Sequence, residues 1–359
     1  MQMDYSVTPT TASTSADRIA AIHADPGFGK HMSDHMVRIT WNATTGWHNA
    51  EVVPYGPLML DPAAAVLHYA QEIFEGLKAY RHADGSIWTF RPDANAARFN
   101  RSAARMGLPA MPADMFIDAI QQLVSIDADW VPGGGEKSYY LRPFMFASEA
   151  FLGVRAAETV TFLVIGCPVG PYFSGGVRPV SIWASDQYTR AAHGGTGAAK
   201  FGGNYASGLI AQREAADHGC EQVVFLDAAE HRYVEELAGM NLFFVYADGT
   251  LATPPTSGTI LEGVTRASLL ALAPELGLTP IERPITIDEW RDGVRCGAIT
   301  EVFACGTAAV VTPVGQLVWS GGEVATSGDN ATTMALRERL IDIQYGRQTD
   351  AHHWLHQLA

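Results

Sequence analysis

Two periods of apolar residues alternate along this chain, one suited to strands and the other, with apolar positions returning every three or four residues, suited to helices. The second period predicts helices over 95–106 and 113–126. Short strands are expected at 36–40 and 51–54, separated by a polar turn around 41–46. A helix is expected over 62–70, with Asp61 as N-cap and Pro62 at the first position, where a missing N–H costs nothing. Asp84-Gly85, between strands at 76–80 and 86–90, is a hairpin signal. A turn at 132–136 leads into a strand that starts at 139–141, and the Thr-, Val- and Ile-rich stretch 158–165 reads as another.

Proline and glycine crowd the stretch 166–178, so the domain boundary is placed there, with a hinge near 168–179. The expected organisation is a flexible leader at 1–30, a smaller N-terminal domain at 31–170, a linker at 171–185 and a larger C-terminal domain at 186–359. In that second part, strands at 179–184 and 222–226 flank a helix over 205–219. A hairpin then joins 241–246 to 250–253 about Asp248-Gly249. A helix at 264–276, strands at 299–304 and 309–313, and a closing helix at 331–341 complete the pattern. Hairpins mixed with helices favour two α+β domains over a regular parallel nucleotide fold.

Composition narrows the function. The length of 359 residues suits about two domains, and 47% hydrophobic with 17% charged residues describes a globular protein. A net charge of -14 argues against nucleic-acid and membrane-surface roles, although a local basic pocket can still take a small anion. No apolar stretch of about twenty residues occurs. The spacing of Cys167, Cys220, Cys296 and Cys305 supports neither a disulfide framework nor a zinc knuckle, so a reducing, cytoplasmic setting is expected. The first 30 residues lack the pattern of a secretory signal.

The candidate chemistry centres on His193–Tyr205, where Lys200 stands between two groups of glycines that allow close backbone approach. Ala199 and Phe201 flank the lysine, so the run is not a Walker A loop. Three readings remain: a solvated lysine in a glycine-rich loop, a cation for an anionic ligand, or an amine that forms a Schiff base. The last would need an acid for a pyridine nitrogen, a donor near a phenolic oxygen, and a phosphate cradle. Glu235 or Glu236 can supply the acid, although such a pair is often merely solvated; on an extended segment only one should face the site. The segment 261–266 brings amides and the Thr265 hydroxyl to a helix start, as either an ordinary cap or a phosphate site. Gly306-Thr307-Ala308 offers a further hydroxyl and amide.

Taken together, Phe74-Glu-Gly-Leu-Lys-Ala79, Arg91-Pro92, Asn95-Ala-Ala-Arg98, Tyr140-Leu-Arg-Pro143, Lys200-Phe-Gly-Gly-Asn-Tyr205 and Glu236-Leu-Ala-Gly-Met-Asn241 form an ordered set. Leu261-Glu-Gly-Val-Thr265 and Glu301-Val-Phe-Ala-Cys-Gly-Thr-Ala308 complete it. With these motifs the chain, over about 35–355, resembles the branched-chain amino acid aminotransferases of the fold type IV pyridoxal-phosphate family. The resemblance implies a two-domain α+β fold like that of D-amino acid aminotransferase, with the cofactor in the C-terminal domain. It implies pyridoxal 5'-phosphate on Lys200, which also shuttles the proton. Tyr205 would meet the phenolic oxygen, Glu236 rather than Glu235 the ring nitrogen, and Arg98, Val264, Thr265 and Thr307 the phosphate. Tyr69, Phe74 and Tyr140 would line the substrate pocket, Gly239, Met240 and Ala308 would receive the α-carboxylate, and Arg142 the acidic second substrate.

The implied reaction is reversible transamination of L-leucine, L-isoleucine and L-valine with 2-oxoglutarate, in a homodimer. A branched side chain gains roughly 1.5–3 kcal/mol when fully removed from water, whereas a γ-carboxylate in the same volume needs polar partners. Alternatives within the fold are D-amino acid transamination and aminodeoxychorismate lyase activity; a metabolite-binding protein without turnover is the alternative outside enzymology. Two departures stand out. Ala309 and Thr312 occupy the positions where some members carry a redox-active Cys-x-x-Cys, and Glu262 stands where proline is common.

Overall fold

The strand expected to start at 139–141 spans Ser138–Ala147 and carries Pro143 in its middle. Its neighbours explain the tolerance. Phe74 of strand Glu72–Phe74 pairs with Phe144, and Leu77 of strand Leu77–Arg81 pairs with Leu141, so Pro143 faces the gap between those two strands. The Glu75 amide donates to the Pro143 carbonyl across that gap at 2.7 Å, and the missing N–H interrupts no ladder bond.

The computed structural model describes residues 3–170, 176–326 and 328–359. The chain divides into one unit of Met1–Tyr172, Ala199–Gly202 and Ile343–Ala359 and another of Phe173–Ala198 and Gly203–Asp342. Four residues around Lys200 thus group with the first unit although their neighbours on both sides belong to the second. With its two return segments, the first unit is the larger, which differs from the expected order of sizes.

In the first unit a nine-stranded sheet runs Ser6–Val7, Gly46–Pro54, His35–Asn42, Thr159–Val169, Ser138–Ala147, Leu77–Arg81, Ile87–Phe90 and Leu355–Gln357, with Glu72–Phe74 paired to Ser138–Ala147. Helices Pro92–Met106 and Ala113–Ile126 bury Phe99 and Phe116 with Ile73, Leu141, Met145 and Phe162 of the sheet. Successive strand residues point to opposite faces. Tyr139, Leu141 and Met145 therefore enter this core, while Tyr140, Arg142, Phe144 and Phe146 lie on the other face.

The second unit has its own nine-stranded sheet: Val234–Leu237, Gln222–Leu226, Val180–Ala184, Val310–Trp319, Ile299–Gly306, Asn241–Tyr246, Thr250–Thr253 and Thr279–Glu282, with Gly322–Ala325 on Val310–Trp319. Its core joins Val224, Leu242, Phe244 and Val302 to Trp290 on helix Ile287–Cys296. That helix was not expected from the sequence, although Thr286 caps it by accepting a bond from the Glu289 amide.

Several boundaries differ for identifiable reasons. Part of the expected leader is helix Ala16–Ala24, capped by Ser15, with Ile19 and Ile22 buried. Gly166 and Pro168, read as hinge residues, lie inside strand Thr159–Val169; a Cβ at 166 would collide with the Tyr139 ring. Residues 171–175 of the expected linker lie outside the described residues, and Val180–Ala184 is strand. The helix expected over 62–70 is confined to Ala65–Tyr69, because Asp61 accepts from the Ala63 amide in a turn and Ala70 is left-handed. Helix 205–219 is two pieces, Gly202–Ala206 and Leu209–Asp217. Helix 264–276 tightens to a 3₁₀ turn at Ala273–Leu276, where Pro274 lacks its N–H. Among the described residues no helix is long and apolar enough to cross a membrane.

Candidate active site

Lys200 is fixed to the first unit through its backbone. Its amide donates to the Ser102 hydroxyl at 2.9 Å, and its carbonyl accepts from the Phe74 amide at 3.0 Å. Two residues on, the Gly202 amide donates to Glu72 Oε1 at 2.5 Å. A Cβ at Gly202 would collide with that oxygen, so the glycine is what lets the lysine segment lie against strand Glu72–Phe74. Lys200 Nζ stands 4.8 Å from the centre of the Phe74 ring, within cation–π range.

The same ring takes a second cation. The guanidinium carbon of Arg142 is 4.7 Å from the Phe74 centroid and 5.4 Å from that of Tyr140, and Nη2 donates to the Tyr140 hydroxyl at 2.9 Å. Arg142 Nε is buried with no hydrogen-bond partner. An orphaned buried donor carries a desolvation cost that an incoming acceptor removes, so the setting of this arginine suits an anion. Phe28 packs on the far reach of this group, its ring 5.0 Å from Tyr140. The Tyr69 hydroxyl, by contrast, is committed to the carbonyl of Leu152.

Beside Phe74, Glu75 is wholly buried and accepts a fork from Arg98, Nε to Oε1 at 2.7 Å and Nη2 to Oε2 at 2.8 Å, together with Asn95 Nδ2 at 2.7 Å. Burial alone would raise the carboxyl's proton affinity, but the charges of Arg98 and Lys200 and the Asn95 amide outweigh it and hold it below the usual carboxylate range. Arg98 is therefore oriented by Glu75, and Glu75 in turn senses Lys200.

In the second unit, Glu235 and Glu236 on strand Val234–Leu237 are both buried, which excludes a merely solvated acidic pair. Glu236 is the well-satisfied one. Its Oε1 accepts from the Leu261 amide at 2.9 Å and stands 2.8 Å from Arg190 Nη1, and its Oε2 accepts from Asn241 Nδ2 at 3.0 Å. Glu235 has a buried oxygen with no partner, and desolvation raises its proton affinity despite Thr259 and Arg190. The Asn241 amide also donates to the Leu261 carbonyl at 3.0 Å, which it can do only because a Cβ is missing at Gly263. The glycine of Leu261-Glu-Gly-Val-Thr265 is thus explained by the approach of Asn241.

Gly263 then starts helix Val264–Leu272, whose first turn has no side-chain cap and no acidic residue, Glu262 lying just before Gly263. With the Thr265 hydroxyl beside them, these donors suit a phosphate. Glu262 is exposed, where solvent screens its charge. Nearby in the fold of this unit, the Gly239-Met240 turn lies against Gly306, with the Tyr205 ring 3.7 Å from the Cβ position of Gly239; Thr307 and Ala308 form the turn that follows Gly306. A carboxylate gripped by an arginine, an uncapped helix start with a hydroxyl, and in the first unit a lysine on an aromatic ring are the groups pyridoxal 5'-phosphate requires, so the residues fit it.

The model of the family described as Amino-transferase class IV matches residues 72–317. The branched-chain-amino-acid aminotransferase of Mycolicibacterium smegmatis is 55% identical over 355 residues, covering 97% of this chain and 96% of its own. The chain belongs to the class IV aminotransferases, in their branched-chain amino acid group. Among solved structures, the Escherichia coli branched-chain amino acid aminotransferase superposes with a TM-score of 0.74 at 26% identity, covering 91% of this chain and 99% of its own. The branched-chain aminotransferase of the thermophilic archaeon Thermoproteus uzoniensis, solved with norvaline, does so at 0.74 and 25%, covering 90% and 100%.

In this aminotransferase four residues escape sequence reasoning. Glu72, Ser102, Arg190 and Asn241 carry no motif of their own and act through bonds to distant backbone or carboxylate groups; Asn241 alone could have been noticed, as the last residue of the Glu236 motif. Cys305 is fully buried, and burial pushes its thiol far up, which fits a structural residue and not a redox one.

Proposed function

We propose that this aminotransferase moves the amino group reversibly between L-leucine, L-isoleucine or L-valine and 2-oxoglutarate, with pyridoxal 5'-phosphate bound to Lys200. The observation that carries the reading is the Phe74 ring with Lys200 Nζ and Arg142 both within 4.8 Å of its centre. The ring offers apolar surface to a branched alkyl group, and Arg142, with its free Nε and the Tyr140 hydroxyl, offers donors to a γ-carboxylate.

The cofactor, when bound, supplies the electron sink that makes the substrate Cα–H bond labile. Lys200 Nζ would take and hold that proton. Glu236, its charge compensated by Arg190, would hold the ring nitrogen, and Tyr205 the phenolic oxygen. Arg98, the Val264 amide, Thr265 and Thr307 would hold the phosphate. The Gly239-Met240 turn and Ala308 receive the α-carboxylate, and Tyr69 closes the apolar side of the pocket. The working form is a cytoplasmic homodimer.

Initial rates with 2-oxoglutarate as acceptor test the reading. L-Leucine, L-isoleucine and L-valine should each yield glutamate, whereas D-alanine should not, and aminodeoxychorismate should give no lyase product. Turnover of D-alanine in preference to L-leucine would overturn it.

A further inference from the structure

Glu72 is a carboxylate with no part in the reaction outlined above, yet its place is specific. It opposes Phe146, and Phe74 opposes Phe144, in an antiparallel pair. Opposed residues share a face, and alternate residues along a strand share it too, so Glu72, Phe74, Tyr140 and Arg142 all stand on the same side of the sheet. The Arg142 guanidinium lies over the Phe74 ring, two residues along that face from Glu72. One Glu72 oxygen is occupied by the Gly202 amide at 2.5 Å.

We propose that Glu72 is a positioning residue acting through Arg142, its carboxylate competing with the distal carboxylate of a dicarboxylic substrate and so setting the balance between dicarboxylic and branched aliphatic substrates. The inference rests on the reading of Arg142 as the γ-carboxylate receptor. Arg142 has one hydrogen-bonded donor on Tyr140 and an orphaned Nε, and among the described residues no carboxylate forms an ion pair with it. Glu72 supplies negative charge from a distance instead. Burial holds the proton affinity of Glu72 above its ordinary value, with the Gly202 amide and the Arg142 charge opposing that rise. A leucine side chain adds no charge there. 2-Oxoglutarate adds a second carboxylate, and Glu72 repels it. The consequence is a dicarboxylate bound firmly enough to react and loosely enough to leave, in a pocket that must then accept an alkyl chain.

The test is Glu72→Gln in the pyridoxal-phosphate-loaded enzyme, because the glutamine oxygen still accepts from Gly202 while the charge is gone. The KM for 2-oxoglutarate should fall about 3–10-fold relative to that for L-leucine, as expected for removal of one partly screened charge. Any change in kcat should be the same for both amino donors and acceptors. Calorimetric binding of glutarate should tighten by the same factor while binding of 4-methylpentanoate stays as in the wild type. Equal changes for the two probes, or none, would overturn the inference. If Glu72→Gln does not fold, Glu72→Ser is read instead: it loses the anchor as well as the charge, and the glutarate-to-4-methylpentanoate ratio should still shift toward glutarate. A wild-type enzyme that fails to transaminate leucine with 2-oxoglutarate would remove the functional reading and this inference with it, whereas a normal wild type with an unshifted variant removes this inference alone.

Discussion

Arg190 and Glu236 face each other inside the second unit, Nη1 to Oε1 at 2.8 Å, both almost inaccessible to solvent. Arg190 Nη1 also donates to the carbonyls of Gly197 and Thr259, at 3.1 and 3.0 Å, so one side chain ties Gly197, the loop before helix Val264–Leu272 and Glu236 together. Replacing Arg190 with Met would leave Glu236 buried with two neutral donors, and breaking a buried pair from one side costs about 3–5 kcal/mol. Urea unfolding of the cofactor-free protein should show that loss, and equilibrium dialysis should show weaker pyridoxal phosphate binding.

Glu75 and Arg98 make a prediction about acid. The Glu75 carboxyl is depressed in the folded state relative to its ordinary value of 4.5. A depressed carboxylate contributes stability that is fully present above the unfolded value and is lost as pH falls through the folded one. Thermal melts of wild type should therefore weaken below about pH 4.5, and Glu75→Gln should flatten that part of the profile while lowering stability at pH 7.

Glu235 and Glu236 should behave oppositely although they are neighbours. Glu235 is raised above its ordinary value by burial, so its favourable contribution exists at low pH and is lost as pH rises through the folded value. Glu235→Gln stays neutral throughout and should melt no lower than wild type at pH 7, with transamination retained. Glu236→Gln removes the acid proposed for the ring nitrogen and should slow turnover by at least about 100-fold, the scale of a positioned acid–base group. Normal turnover in Glu236→Gln with loss in Glu235→Gln would mean that the other carboxylate serves the ring.

What the sequence disclosed, and what it hid, follows from the range of the forces involved. Hairpins at Asp84-Gly85 and Asp248-Gly249 were legible because two residues determine the turn; the strands on either side pair as expected. Gly166 misled for the same reason. Its local signal says break, and only the Tyr139 ring beside it explains why the strand continues. Lys200, Arg142 and Phe74 were legible by family pattern, and the structure brings them to one ring. Glu72 was not, because its partner Gly202 is 130 residues away and a lone glutamate in a short strand has no local signature.

Phe74 itself offers a direct test of the pocket. Phe74→Ala removes the surface shared by Lys200 and Arg142, and truncating a large aromatic typically costs about 3–5 kcal/mol where it is buried. Being half-buried, Phe74 should cost less stability, and its main effect should be a rise in KM for leucine larger than that for 2-oxoglutarate. The ratio of the two KM values reads the difference.

On the proposed reading, amino-group transfer from branched-chain amino acids runs through Lys200. Mixing the pyridoxal-phosphate-loaded enzyme with excess L-leucine and no oxo-acid acceptor, then quantifying 4-methyl-2-oxopentanoate after a single turnover, is the test. One oxo acid per subunit is expected from the wild type and essentially none from Lys200→Ala. No oxo acid from the wild type, or equal release from Lys200→Ala, would contradict it.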